Sequence, residues 1–134
     1  ARAVKKLEHE DLPNLKIING DALNLNNIFS KEIATIYLNF SDPWPKARHS
    51  KRRLTSDIFL KIYDDIFKDK CVILQKTDNT GLFESSIVSL SNYGYKIEDI
   101  SLDLWSTDKF YEETEYERKF KNKGVKINYL KATK

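Results

Sequence analysis

Glycine is scarce in this chain: 4 of 134 residues, about 3 per cent where roughly 7 per cent is usual. Gly20, Gly81, Gly94 and Gly124 each stand alone, which excludes a glycine-rich dinucleotide loop and a P-loop anywhere in the sequence. A nucleotide-type cofactor must be held without such a cradle, or by one lying outside these residues. The single cysteine, Cys71, rules out an internal disulfide framework and a multi-cysteine zinc site. With His9 and His49 the only histidines, no metal is expected. No stretch approaches the roughly 18 consecutive apolar residues of a membrane span, and the start shows no signal-peptide pattern, so a soluble cytoplasmic protein is expected. Charge of one sign is also lacking: 23 Lys and Arg against 20 Asp and Glu leave +3, and any nucleic-acid argument rests on local clustering.

What is present suffices for one folded domain over residues 1–134, since 40% of the residues are apolar and 12% aromatic. Residues Ala1 to Leu7 read as a helix with no capping residue before it. Leu15 to Ile18, ended by Asn19-Gly20, reads as a strand, and Asp21 then caps a short helix bearing Ala22, Leu23, Leu25, Ile28 and Phe29. Ile33 to Phe40 is nearly continuously apolar, which predicts a central parallel strand covered on both faces. A polar loop over residues 41–53 precedes a helical pattern of Leu54, Ile58, Phe59, Ile62, Tyr63, Ile66 and Phe67. Cys71 to Leu74 predicts a third buried strand; Leu82, Phe83, Ile87 and Leu90 predict a helix ending near Asn92 and Gly94. Ile97, Ile100, Leu102 and Leu104 suggest another strand, and Val125, Ile127 and Tyr129 alternate with polar residues as a last, half-exposed one. Strand-helix alternation predicts a doubly wound α/β fold with a mostly parallel sheet and an antiparallel edge hairpin.

In such sheets ligands bind beyond the carboxyl ends of the strands, and three of those ends carry an acid: Asp21, Asp42 and Asp78. Each also suits helix capping or a turn, so one acid alone decides nothing. Asp42 opens Asp-Pro-Trp-Pro, where Pro43 and Pro45 fix two backbone angles and predict a stiff, extended arrangement of Asp42 and Trp44. An acid beside an indole suits a flat heterocycle. Directly after it, Lys46, Arg48, Lys51, Arg52 and Arg53, with His49 among them, place five fixed positive charges in eight residues. A charge run is usually a solvated face; at the ligand edge of the sheet it also suits a polyanion.

The segment Asn39-Phe-Ser-Asp-Pro-Trp-Pro-Lys-Ala-Arg-His-Ser-Lys-Arg-Arg-Leu-Thr55 closely resembles the signature of the tRNA (guanine-N7-)-methyltransferase family. Lys76-Thr-Asp-Asn79 with Leu82-Phe-Glu84, Thr114-Glu-Tyr-Glu117 followed by Lys119-Phe120 and Gly124, and Asn14-Leu15 with Gly20-Asp-Ala22 match in order, so the resemblance covers essentially the whole chain. It implies a Rossmann-like fold that uses S-adenosylmethionine to methylate a guanine of the tRNA variable loop. Carried over residue by residue, Asp21 would bind the cofactor, and Asp42 would contact its methionine end and serve as the catalytic residue. Lys46, Asp78, Thr114, Glu115, Tyr116 and Glu117 would bind the target nucleotide; Arg48, His49, Ser50, Lys51, Arg52 and Arg53 would contact tRNA. Thr114 to Glu117 also fits a capping box, and both readings stand at this point.

Members of that family carry, ahead of the segment matching Ala1, a strand, a glycine-rich turn and a second strand ending in an acid. None of these is in the sequence, so the N-terminal strands are expected to be missing, leaving the strand at Leu15 to Ile18 without its neighbour and this chain alone a weak binder of the cofactor. Two rivals remain. Ser41-Asp-Pro-Trp44 also resembles the turn of amino-methyltransferases, though it lacks their second adjacent proline. A catalytically silent tRNA-binding module would account for the absent cofactor loop, while retention of Asp21, Asp42 and Asp78 speaks against it.

Overall fold

A computed structural model of the chain describes residues 13–104 and 124–134. The helix expected at Ala1 to Leu7 lies outside the described residues. The chain enters through Leu15 to Ile18, which were expected to form a strand and do not: they find no ladder partner among the described residues, and Leu15, Ile17 and Ile18 are 48%, 48% and 55% exposed. Apolar character alone does not make a strand, because its backbone donors and acceptors require a neighbour.

Asp21 starts the next segment as expected. Its side chain accepts a 2.9 Å hydrogen bond from the Leu23 amide, and a 3-10 turn over Ala22–Asn24 runs into a single-turn helix α1, Leu25–Ile28. Ala22 and Leu25 pack against the core, whereas Leu23 and Ile28 face outward.

Four strands form one sheet: β1 (Ile36–Asn39), β2 (Val72–Thr77), β3 (Lys96–Ser101) and β4 (Asn128–Thr133), in the order β1-β2-β4-β3. β1 pairs parallel with β2; β4 pairs antiparallel with both β2 and β3. The α/β class holds, but one of the three pairings is parallel, so the described sheet is mixed rather than mostly parallel. Among the described residues β1 has one strand neighbour, β2, and so lies at the edge where a central strand was expected: Leu38 is its sole buried residue, and Tyr37 is 66% exposed. The expected antiparallel hairpin of the last two strands is present, with β4 inserted inside the sheet. β4 is therefore mostly buried rather than half-exposed, because neighbours on both sides and layers on both faces remove it from water.

Two longer helices flank β2. In α2 (Asp57–Ile66), Phe59, Leu60, Tyr63 and Ile66 recur at helical spacing and are buried. In α3 (Thr80–Tyr93), Asn79 Oδ1 accepts from the Leu82 amide at 2.8 Å and closes the first turn. Gly94, at φ +110°, ends it, and the Tyr95 amide reaches back to the Leu90 carbonyl at 2.9 Å. This is a Schellman-type close, which favours glycine because a Cβ is strained at positive φ. Both helices bury their stripes in one cluster with Leu38, Ile73, Leu130 and Ala132. The other face of the sheet carries a smaller cluster of Leu104, Ile127 and Tyr129 with Phe40 and Leu74. Adjacent parallel strands β1 and β2 thus end side by side, with Asn39 in register with Lys76.

Candidate active site at the carboxyl ends of the parallel strands

The β1–β2 ladder extends one residue beyond Asn39, through a 2.9 Å bond from the Phe40 amide to the Lys76 carbonyl, and then the chain turns away. Phe40 and Trp44 stand at φ 55° and 42°, a left-handed conformation that bulky residues rarely adopt, and they bracket Ser41-Asp42-Pro43. The extended arrangement expected for Trp44 from its prolines is therefore not what forms. A side chain nine residues onward bonds to the turn in this form. Arg53 Nε donates to the carbonyls of Pro43 at 3.2 Å and Trp44 at 3.1 Å, and its Nη2 donates to Trp44 again at 3.0 Å. A non-glycine residue held at such an angle costs on the order of 1–3 kcal/mol. Hydrogen bonds from a charged donor contribute roughly 1.5–3 kcal/mol each, enough to hold the turn.

Trp44 is packed by its own loop. The Arg52 guanidinium lies 4.9 Å from its ring centroid, and the His49 ring meets it edge-on at 5.6 Å and 73°. The basic run itself winds as a 3-10 turn over Ala47–Arg52, followed by Arg53 in extended conformation before α2. This winding divides the run. Lys46, Arg48, Lys51 and Arg52 are exposed, His49 and Ser50 are half-buried, and the half-buried Arg53 faces back into the loop.

The two acids at the strand ends differ from Asp21. Asp42 and Asp78 are exposed and form no hydrogen bond or ion pair among the described residues, and the capping of α3 falls to Asn79. Asp21 caps its own turn and also lines a cleft of about 610 Å³ that includes Leu23, Trp44, Arg52, Leu54 and Phe59. The structure thus brings Asp21, Trp44, Lys51 and Arg52 around one cleft, and sets Asp42 and Asp78 at neighbouring strand ends outside its lining. Thr114, Glu115, Tyr116 and Glu117 lie outside the described residues. Sequence reasoning placed Leu54, Ile58 and Phe59 in the apolar helical pattern and did not single them out as cleft walls; in the structure Ile58, in the first turn of α2, is 42% exposed. No cluster of three or more His, Cys, Asp or Glu able to hold a metal occurs among the described residues. None of the described helices is long and apolar enough to cross a membrane.

Comparison with known proteins bears on the same residues. The chain is 50% identical over 133 residues to a protein of Macrococcus caseolyticus named tRNA (guanine-N(7)-)-methyltransferase, covering 98% of this chain and 63% of that protein. A Limosilactobacillus reuteri protein of the same name is 50% identical over 135 residues, with the same coverage of 98% and 63%. The chain therefore spans somewhat under two thirds of the length of these relatives. A family model described as a putative methyltransferase matches residues 1–130, and with nearly its whole length matched the chain belongs to that methyltransferase family.

Proposed function

We propose that the protein is a cytoplasmic, S-adenosylmethionine-dependent tRNA (guanine-N7-)-methyltransferase, acting on a guanine of the tRNA variable loop. One observation carries the reading: two exposed carboxylates, Asp42 and Asp78, without partners among the described residues, follow adjacent parallel strands, and the exposed cations Lys46, Arg48, Lys51 and Arg52 come directly after Asp42 in the chain. Acids suit the ring donors of a base, and the cations suit the phosphates that carry it. The names of the relatives support the same assignment.

The described residues fit the cofactor's adenosine end. The cleft of about 610 Å³ has apolar and aromatic walls from Leu23, Leu54, Phe59 and Trp44, and Asp21 supplies a carboxylate. One Asp21 oxygen is used by the Leu23 amide, which leaves the other for a hydroxyl or amine. Bound there, the cofactor supplies an electrophilic methyl group. Guanine N7 presents an in-plane lone pair, so no proton has to be removed before attack. Asp42 accordingly orients the reactants, and its charge favours the cation developing on the purine. Asp78 accepts from the guanine N1 and N2 donors, and Lys46 holds a phosphate or ring acceptor. Thr114 to Glu117 complete the base contacts, and Arg48, His49, Ser50, Lys51 and Arg52 meet the RNA backbone.

The test uses the full-length protein, unmodified tRNA and cofactor with a labelled methyl group. Borohydride–aniline cleavage maps methylation at N7. Asp42→Ala should lower transfer by about 100-fold or more while tRNA affinity stays within about two-fold. Label on an exocyclic amine, or tRNA binding without transfer by the unmodified protein, overturns the proposal in favour of an amino-methyltransferase or a silent binding module.

A further inference from the structure

We infer that Arg53 is a positioning residue for the Asp42 turn rather than one of the RNA contacts, an inference that rests on the proposed methyl transfer. Among the described residues, Arg53 supplies every hydrogen bond made by residues 41–45. The prolines at 43 and 45 have no amide to offer, and the Ser41 and Asp42 backbone makes no bond to the sheet. Left-handed angles at Phe40 and Trp44 bound this otherwise unsupported segment. Strain of that kind persists when the surroundings over-determine it: Arg52 and His49 pack the Trp44 ring, and the hydrogen bonds to the Pro43 and Trp44 carbonyls come from the Arg53 guanidinium. Its fork is rigid and planar, so two donors on adjacent edges fix the direction of both carbonyls at once. The carbonyls it holds belong to the two residues immediately after Asp42. Arg53 therefore sets where the Asp42 carboxylate stands without touching the reacting atoms. Arg48 and Lys51, in the same charge run, are exposed and have no such engagement, so they remain available to phosphate.

The full-length protein carrying Arg53→Ala decides the matter against Arg48→Ala. Misplacing a reacting group by about 1 Å costs up to about 100-fold in rate, so Arg53→Ala should lower kcat by about 10- to 100-fold. Its tRNA affinity should stay within about two-fold at unchanged salt dependence, and free guanidinium ion should restore part of the rate. Arg48→Ala should instead weaken tRNA binding, with the salt slope shallower by roughly 0.7 to 0.9. Weakened binding and a shallower slope for Arg53→Ala, or a kcat equal to that of the unmodified protein, overturns the inference. Should Arg53→Ala not fold, Arg53→Gln decides: its neutral amide still donates to a carbonyl, so a retained salt slope with partial rate supports positioning and a reduced slope refutes it. Trp44 fluorescence, read with Trp105→Phe, follows the turn independently of activity. An emission shift in Arg53→Ala is expected even if the unmodified protein proves unable to methylate tRNA, and its absence counts against the inference alone.

Discussion

Tyr93 Oη donates a 2.6 Å hydrogen bond to Asp64 Oδ2, fastening the last turn of α3 to α2. Lys134 Nζ donates to Asp64 Oδ1 at 3.0 Å, and the same ammonium lies 4.6 Å from the Tyr93 ring centroid, so the end of β4 joins the network. Burial alone pushes the Asp64 carboxyl upward, but the bonds from Tyr93 and Lys134 outweigh it and hold the pKa below the ordinary carboxylate value. Burial and the Asp64 carboxylate push Tyr93 up to about 12.

These shifts set a pH window for stability. The lowered Asp64 stabilises the fold above the ordinary carboxylate range near about 4, and that contribution is lost as pH falls through its lowered pKa. The raised Tyr93 contributes fully below its ordinary value of 10.0, and the contribution is lost as pH rises through about 12. Tyr93→Phe should cost about 1 kcal/mol at neutral pH, given the partial exposure of both groups. Urea unfolding of both proteins across pH checks this: the stability gap should be flat between about pH 5 and 9 and narrow below about 4 and above about 10.

A second link joins the start of α2 to α3. Thr55 Oγ1 and Ser86 Oγ share a 2.8 Å hydrogen bond, and the two residues are 2% and 0% exposed. Thr55→Val or Ser86→Ala alone leaves a buried hydroxyl without its partner and should destabilise by about 1–3 kcal/mol. Replacing both should cost less than the two single losses added together. A double-mutant cycle by denaturant unfolding measures the difference.

Legibility in the sequence followed the range of the forces involved. α2 and α3 were readable because helical spacing and the Gly94 stop are local signals. The position of β1 was not: continuous apolar character from Ile33 to Phe40 suggested a covered central strand, but edge or centre depends on neighbours far away in sequence. β4 failed in the opposite direction, its alternation at Val125 to Tyr129 concealing an interior strand. Asp42 and Asp78 do follow strands, as expected, whereas Asp21 follows a segment that forms none among the described residues. The left-handed Trp44 was not legible, because the proline rule is local and the guanidinium that bonds to its carbonyl stands nine residues away.

Asp78 and Asn79 separate capping from site chemistry. Asn79 closes the first turn of α3 through the Leu82 amide at 2.8 Å, while the neighbouring Asp78 is exposed and uncommitted among the described residues. Asn79→Ala should therefore lower stability by about 0.5–2 kcal/mol. Asp78→Ala should leave the unfolding midpoint nearly unchanged and lower kcat/KM for tRNA. Thermal unfolding measured beside steady-state methylation distinguishes them; a stability loss at Asp78 equal to that at Asn79 would assign the acid to capping.

The exposed cations of the 3-10 turn make a quantitative demand on salt. Arg48 and Lys51 have no ion-pair partner among the described residues, so contact with RNA phosphates requires no internal bond to be broken first. Each phosphate contact contributes roughly 0.7 to 0.9 to the slope of log affinity against log salt, the lower figure applying to single strands. Replacing both with Ala should make the slope shallower by about 1.4 to 1.8 and weaken binding most at low salt. Filter-binding titrations over a range of potassium chloride concentrations give the slope directly. An unchanged slope with lowered affinity would mean that these residues support the loop instead of meeting the RNA.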